Sequence, residues 1–331
     1  MYKKSKDNFW RNKRVLITGY EGFLGSHLTR TLLNYGAKIC GLDIKTRRKQ
    51  TILSSKELKR INIIKGSVEN FSLVSKIINE NKITFVFHLA ARSLVNECLT
   101  KPVRGFATNI KGTWNVLEAA RNNKRIEAVI IASSDKAYGS CRNLPYSEDT
   151  PLQGNHPYDV SKSCADLIAY TYYHTFGVPV VITRCGNIYG PGDFNFSRIV
   201  PDAIRAALKD KTLVIRSDGK FTRDYVYVDD IVNGYVTLAE KMQKLKLFGE
   251  AFNFSDEKPI SVLDLVKRIY KITDKKPNYK ILNQAKYEIR DQYLSSKKVK
   301  SVLRWQPQVT LDEGLKKTIK WYKECFQDDK K

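Results

Sequence analysis

Val15-Leu16-Ile17-Thr18-Gly19-Tyr20-Glu21-Gly22-Phe23-Leu24-Gly25 is a short apolar run that closes on a glycine triad. Beyond it Leu24, Leu28 and Leu32 recur at every fourth position, so a strand gives way to a helix across the turn. Glycine at such a turn permits tight backbone geometry and close approach of a phosphate to the helix N-terminus, whose free N–H groups and positive dipole end attract anions. The spacing is GxxGxxG rather than GxGxxG. In its strand-turn-helix setting the triad points to a bound dinucleotide.

The next strand expected, Ile39-Cys40-Gly41-Leu42, ends at Asp43. An acidic side chain there accepts hydrogen bonds from the adenosine ribose hydroxyls and repels a 2′-phosphate, which favours NAD over NADP. Lys45, Arg47 and Arg48 are the contrary sign, because cations just downstream can neutralise that phosphate. Further apolar runs follow at Thr84-Phe85-Val86-Phe87-His88-Leu89, Ala128-Val129-Ile130-Ile131-Ala132 and Val178-Pro179-Val180-Val181-Ile182-Thr183, separated by helical patterns such as Trp114-Asn115-Val116-Leu117-Glu118-Ala119-Ala120. Near-continuous strands alternating with amphipathic helices predict an α/β fold, a doubly wound (Rossmann) parallel sheet covered on both faces. His88, inside one of these buried strands, is read as structural.

The 331 residues carry 58 Lys and Arg against 34 Asp and Glu, a net charge of +24, with 42% hydrophobic residues. That apolar fraction excludes a disordered chain. Charge alone speaks to solubility and steering, and the basic residues are dispersed along the chain with no aromatic-interleaved motif, so no nucleic-acid partner is expected. A nucleic-acid-binding protein of this fold is kept only as an alternative. Cys40, Cys98, Cys141, Cys164, Cys185 and Cys325 are scattered without a CxxC pair or a His at zinc spacing, so neither a metal site nor a disulfide framework is expected. The basic residues 1–14 do not lead into a signal-peptide core, and no stretch approaches the ~20 apolar residues of a membrane span. A cytoplasmic protein with no membrane insertion is the resulting expectation.

After Ala132 comes Ser133-Ser134-Asp135-Lys136-Ala137-Tyr138-Gly139, and later Tyr158-Asp159-Val160-Ser161-Lys162 opens a helix. Tyr158 and Lys162, at i and i+4, share one helix face. A neighbouring ammonium favours phenolate, so the Tyr158 pKa is expected below its ordinary value of about 10. Such a tyrosine can take a proton from a sugar hydroxyl while hydride leaves the same carbon for a nicotinamide.

These elements join His88-Leu89-Ala90-Ala91, Ala107-Thr108-Asn109, Arg184-Cys185-Gly186-Asn187-Ile188-Tyr189-Gly190-Pro191-Gly192 and Arg223-Asp224-Tyr225-Val226-Tyr227-Val228-Asp229-Asp230 in one ordered series. From about Lys13 to Tyr322 the chain resembles the extended short-chain dehydrogenase/reductase family acting on nucleotide sugars. In that family the residues following Ser134 sort the chemistries: 4-epimerases lack an acid–base pair there and 4,6-dehydratases carry one. Here the pair is Asp135-Lys136, as in the CDP-glucose 4,6-dehydratases. The resemblance therefore implies an NDP-hexose 4,6-dehydratase with tightly bound NAD, which makes a 4-keto-6-deoxy sugar from a CDP-glucose-like substrate. A 4-epimerase or 2-epimerase on the same scaffold is the alternative.

What the resemblance implies can be stated residue by residue. Asp135 is the acid at the departing C6 hydroxyl, Lys136 the base at C5, and Ser134 a hydrogen-bond partner of the 4-hydroxyl beside Tyr158 and Lys162. Gly19, Gly22, Phe23, Leu24, Gly25 and Asp43 hold the cofactor, together with Leu89, Ala90, Ala91, Thr108, Tyr158 and Lys162. Ser67 stands where relatives commonly carry an Asp at the adenine. A diphosphate wants fixed cations and amide donors, for which Asn187, Arg198, Arg216, Arg223 and Arg290 are the candidates. Residues 1–184 are expected to form the NAD-binding Rossmann domain and 185–331 mainly a smaller C-terminal substrate-binding lobe, with segments near 223–250 returning to the first domain. A homodimer formed through the helix carrying Tyr158 and Lys162 is also implied.

Overall fold

In a parallel sheet covered on both faces, successive residues of a strand must find apolar partners on opposite sides. The first strands obey this. Val15 and Ile17 join one buried core with Leu28 and Leu32, whereas Leu16 joins another with Val74, Ile77 and Val116. Phe85 and Phe87 divide from Val86, and Ala128 and Ile130 from Val129 and Ile131, between the same two cores.

The computed structural model describes residues 8–46, 51–285 and 288–328. Residues 1–7 of the basic start, and Arg47 and Arg48, lie outside the described residues. The chain runs from β1 (Arg14–Thr18) through α1 (Phe23–Asn34) to β2 (Lys38–Asp43), then α2 (Ser55–Leu58), β3 (Ile61–Lys65), α3 (Phe71–Glu80) and β4 (Phe85–His88). Next come α4 (Val95–Thr100), α5 (Pro102–Phe106), a π-helical turn over Ala107–Lys111, α6 (Gly112–Arg121) and β5 (Ala128–Ala132). A 3-10 turn at Asp135–Tyr138 precedes α7 (Pro157–Phe176) and β6 (Val180–Cys185). The last strand starts two residues later than the apolar run predicts, because Pro179 has no N–H to give a ladder.

Past β6 the chain builds the smaller lobe from β7 (Asn187–Tyr189), α8 (Ile199–Leu208), β8 (Leu213–Ile215), β9 (Thr222–Arg223) and β10 (Tyr225–Tyr227). It then goes back: α9 (Val228–Lys241) buries Ile231, Tyr235 and Leu238 in the same core as α1, and β11 (Ala251–Phe254) pairs alongside β6. That pairing, with Phe254 opposite Cys185, carries β6 past Thr183. The lobe is completed by β12 (Ile260–Ser261), α10 (Val262–Thr273), β13 (Tyr279–Ile281), β14 (Asp291–Gln292), α11 (Lys297–Leu303) and α12 (Leu311–Asp328), and its own core unites Ile204, Leu213, Ile215, Leu265, Ile269, Leu315 and Tyr322. The main sheet has seven parallel strands in the order β11-β6-β5-β4-β1-β2-β3. The order reverses between β1 and β4, the switch point at which a doubly wound sheet opens a crevice at its carboxyl ends.

Candidate active site

A cleft of about 1280 Å3 opens along those carboxyl ends and is walled on the far side by the smaller lobe. Gly19, Gly22, Phe23, Leu24, Gly25, Asp43, Leu89, Ala90, Ala91 and Thr108 line its sheet side. The triad is sterically required. Gly19 has φ +71° and a Cβ on it would stand 3.1–3.2 Å from the Leu89–Ala90 backbone, and a Cβ on Gly25 would stand 2.0 Å from the Gly19 carbonyl oxygen. Gly22 is the N-cap of α1 and brings no side chain to the first-turn N–H groups. These residues thus fit a dinucleotide, whose phosphates supply the acceptors that the cap lacks. Asp43 lies at the end of β2, on the cleft wall with Ile44 and Lys45. Ser67 also lines the cleft, and two residues on Glu69 accepts a hydrogen bond from Thr108 Oγ1 at 2.7 Å.

His88 supports this wall from behind. Thr18 Oγ1 accepts from the N–H groups of Leu89 and Ala90, both at 3.1 Å, so its own proton goes to His88 Nδ1 at 2.8 Å. His88 Nε2–H then donates to Thr113 Oγ1 at 3.2 Å. Burial first, then the Lys162 charge, push the His88 pKa down to about 3, so the ring is a neutral spacer.

Tyr158 and Lys162 stand on the first turns of α7, both buried and both on the cleft. The structure corrects one expectation here. Lys162 Nζ donates to the Ala132 carbonyl at 2.7 Å, and Tyr158 is pushed above its ordinary pKa by burial. The influences opposing that burial are the Arg198 charge and a hydrogen bond with Ser134, so desolvation outweighs the cations in reach. Burial also lowers Lys162 to about 8.

Asp135 and Lys136 sit in the 3-10 turn after β5. Ser134 caps that turn, accepting from Lys136 N at 3.2 Å and donating to Asp135 Oδ1 at 2.8 Å. Asp135 is buried, and among the described residues its Oδ2 has no hydrogen-bond partner. Lys136 is lowered in pKa by burial and then by the Arg223 guanidinium, against the pull of Asp135, Asp159 and Glu288. A lysine so placed can lose its proton and act as a base. Beneath the turn, Arg184 forms a buried bidentate pair with Asp166 at 3.1 and 2.8 Å and donates to Tyr138 at 2.8 Å, which fixes the turn against α7.

On the lobe side Asn187, Arg198, Arg216 and Arg223 line the cleft. Arg223 spends N–H groups on the carbonyls of Thr222 at 2.7 Å, Arg290 at 2.8 Å and Ile289, and a guanidinium with five donors has some left over. Arg198 donates to Asp193 Oδ2 at 3.1 Å, and Arg216 to the Ser197 carbonyl at 3.1 Å. Arg290 is not brought to the cleft: its side chain is 65% exposed and pairs with Asp291, because on this edge it is the Arg290 carbonyl, not the guanidinium, that turns inward.

Several groups of the site have no signal in the sequence. Gln292 is fully buried and bonded to Lys136; Phe221, Val262, Glu288 and Ile289 close the lobe end of the cleft. Asp159, on the cleft beside Tyr158, is raised to about 6 by burial against the opposing charge of Lys136. Its place next to Tyr158 in the helical motif was the one cue available. Among the described residues no group of three or more His, Cys, Asp or Glu stands together as a metal site, and no helix is long and apolar enough to cross a membrane.

Comparison with known proteins adds four findings. The family model described as GDP-mannose 4,6 dehydratase matches residues 16–318. The CDP-glucose 4,6-dehydratase of Salmonella typhimurium is 30% identical over 335 aligned residues, covering 96% of this chain and 92% of that protein. The UDP-glucuronate 4-epimerase of Thermodesulfobacterium geofontis is 31% identical over 330, covering 94% and 97%. Among solved structures, the dTDP-glucose 4,6-dehydratase of Bacillus anthracis in complex with NAD aligns with a TM-score of 0.85 at 28% identity, covering 95% of this chain and 98% of that one.

Proposed function

We propose, starting from the fact that the chain belongs to the GDP-mannose 4,6 dehydratase family, that it is an NAD-dependent nucleotide-sugar 4,6-dehydratase, a hydro-lyase. Its substrate on this reading is a CDP-glucose-like nucleotide hexose and its product the 4-keto-6-deoxy sugar. The observation that carries the reading is Asp135 and Lys136 side by side on the same cleft as Tyr158. A 4-epimerase needs no second acid and base, whereas loss of water from C5 and C6 needs both.

Residues 1–184 would hold NAD through the glycine triad, with Asp43 at the adenosine ribose, and residues 185–331 would mainly hold the nucleotide sugar. The chemistry the bound nicotinamide supplies is to store the hydride of C4 and give it back at C6, ending oxidised as it began. Tyr158 is the group placed to take the proton of the 4-hydroxyl, its phenolate form to be favoured against burial by the positive charge an oxidised nicotinamide would bring, while Lys162 holds its own charge on the same cleft through the Ala132 carbonyl. Lys136 takes the C5 proton and later returns a proton to C5. The C6–O bond breaks as Asp135 gives the leaving hydroxyl its proton, so one water departs. Asn187, Arg198, Arg216 and Arg223 supply donors for the diphosphate. Among the described residues the scattered cysteines form no disulfide, which supports a reducing, cytoplasmic setting.

A homodimer is supported by apolar residues left exposed on neighbouring helices: Val103 of α5 at 77%, Trp114 of α6 at 42%, and Leu167 and Tyr170 of α7 at 54% and 53%.

The 31%-identical epimerase favours a second reading, 4-epimerisation on the same scaffold. One measurement separates them. Incubated with CDP-, dTDP-, UDP- and GDP-hexoses in turn, the protein is expected to convert one to a 4-keto product lighter by one water. An isomer of unchanged mass overturns the dehydratase reading.

A further inference from the structure

Gln292 lies on β14, whose parallel pairing with β9 sets it opposite Arg223. Its side chain is fully buried in a part of the chain remote in sequence from the 3-10 turn, yet it touches both members of the catalytic pair. Lys136 Nζ donates to Gln292 Oε1, and Gln292 Nε2 donates to the Asp135 carbonyl at 2.9 Å. Only one orientation of the amide satisfies both bonds. Flipped, it would set carbonyl against carbonyl at Asp135 and turn its NH2 onto the very lone pair a lysine base needs.

We propose that Gln292 is a positioning residue that aims the Lys136 amine at the substrate carbon from which it removes a proton. This rests on the dehydratase reading above. A neutral lysine amine has two N–H groups and one lone pair. Spending an N–H on Gln292 restricts where the lone pair can point, and holding the Asp135 carbonyl keeps the acid and the base in one rigid unit. The choice of an amide has a further reason. The charged groups around Lys136 are Arg223 on β9, Asp135 in its own turn, Asp159 on α7 and Glu288 ahead of β14. A carboxylate at position 292 would add another anion and hold Lys136 protonated, whereas an amide oxygen accepts the bond without favouring the ammonium so strongly.

The test uses the full-length protein with its cofactor and the nucleotide hexose it turns over. Gln292→Met keeps the volume and removes both bonds. It is expected to slow water loss roughly 10²-fold with KM little changed, while reduced nicotinamide accumulates during turnover, the outcome also expected of Lys136→Ala, which removes the base itself. Combined with Lys136→Ala it is expected to add no further loss. Gln292→Glu restores an acceptor, so it is expected to recover part of kcat while the rising limb of the pH–rate profile moves up by about one pH unit. If Gln292→Met does not fold, the limb of Gln292→Glu decides alone. A Met variant with wild-type kcat and pH profile, or a Glu variant with an unmoved limb, overturns the proposal while leaving the dehydratase reading intact. A wild-type protein that releases no water from any nucleotide hexose overturns both.

Discussion

The Ser134 hydroxyl donates to Asp135 Oδ1 at 2.8 Å, while Asp135 Oδ2 faces no hydrogen-bond partner among the described residues. An oxygen so placed on a cleft is available to accept from, or when protonated donate to, a ligand that enters it. On the proposed dehydratase reading the departing C6 hydroxyl is such a ligand. Asp135→Asn keeps the shape and removes the acid. It is expected to cut water loss by roughly 10²–10⁴-fold while hydride transfer from C4 persists, which absorbance of the reduced nicotinamide would report. Water loss at the wild-type rate in this variant removes Asp135 from the mechanism.

Gly25→Ala puts a Cβ 2.0 Å from the Gly19 carbonyl oxygen, which is fixed backbone. The turn must move, at a cost of roughly 1–3 kcal/mol, and the purified protein is expected to carry little NAD. Gly177→Ala is the control. It has φ +67° but nothing within 4 Å of an added Cβ, so only a strain of about 1 kcal/mol is expected, with cofactor content unchanged. Equal cofactor content in both variants would show that the triad does not shape the site.

His88 makes stability fall in acid. Its folded pKa of about 3 is below the ordinary value of 6.5, so the unfolded chain binds the extra proton. The contribution is complete above pH 6.5 and is lost as pH falls toward 3. Between pH 7 and pH 5 the loss is about 2 kcal/mol, and His88→Asn is expected to abolish it. Comparing the two proteins by denaturant unfolding at both pH values isolates this residue from Asp159 and Asp224, which burial raises to about 6 and about 7 and which act with the opposite sign. Equal pH slopes in the two proteins would mean that His88 is not the buried neutral group described.

Leu167 and Tyr170 lie one helical turn apart on α7, and both are more than half exposed. If this face joins two copies, Leu167→Glu buries a charge at the junction and is expected to yield monomers in sedimentation velocity. Monomeric wild-type protein, or an unaffected dimer in the variant, counts against this face as the interface.

Much of the molecule is legible in its local pattern. Alternation along Val15-Leu16-Ile17 and along Phe85-Val86-Phe87 determines which face each side chain buries, because a strand has period two whatever lies beyond it. The glycine triad and the i, i+4 spacing of Tyr158 and Lys162 are likewise local, since a turn and a helix bring those residues together within a few positions. The lobe is different. Gln292 reaches Lys136, and the carbonyl rather than the side chain of Arg290 faces inward, only because β14 pairs with β9 in one register. The Tyr158 pKa reverses for the same kind of reason: helical spacing specifies a neighbour such as Lys162, but burial is a sum over every segment packed around the ring, and here it outweighs the cations. Short-range periodicity is written residue by residue, whereas desolvation and convergence of distant strands exist only once the chain has closed on itself.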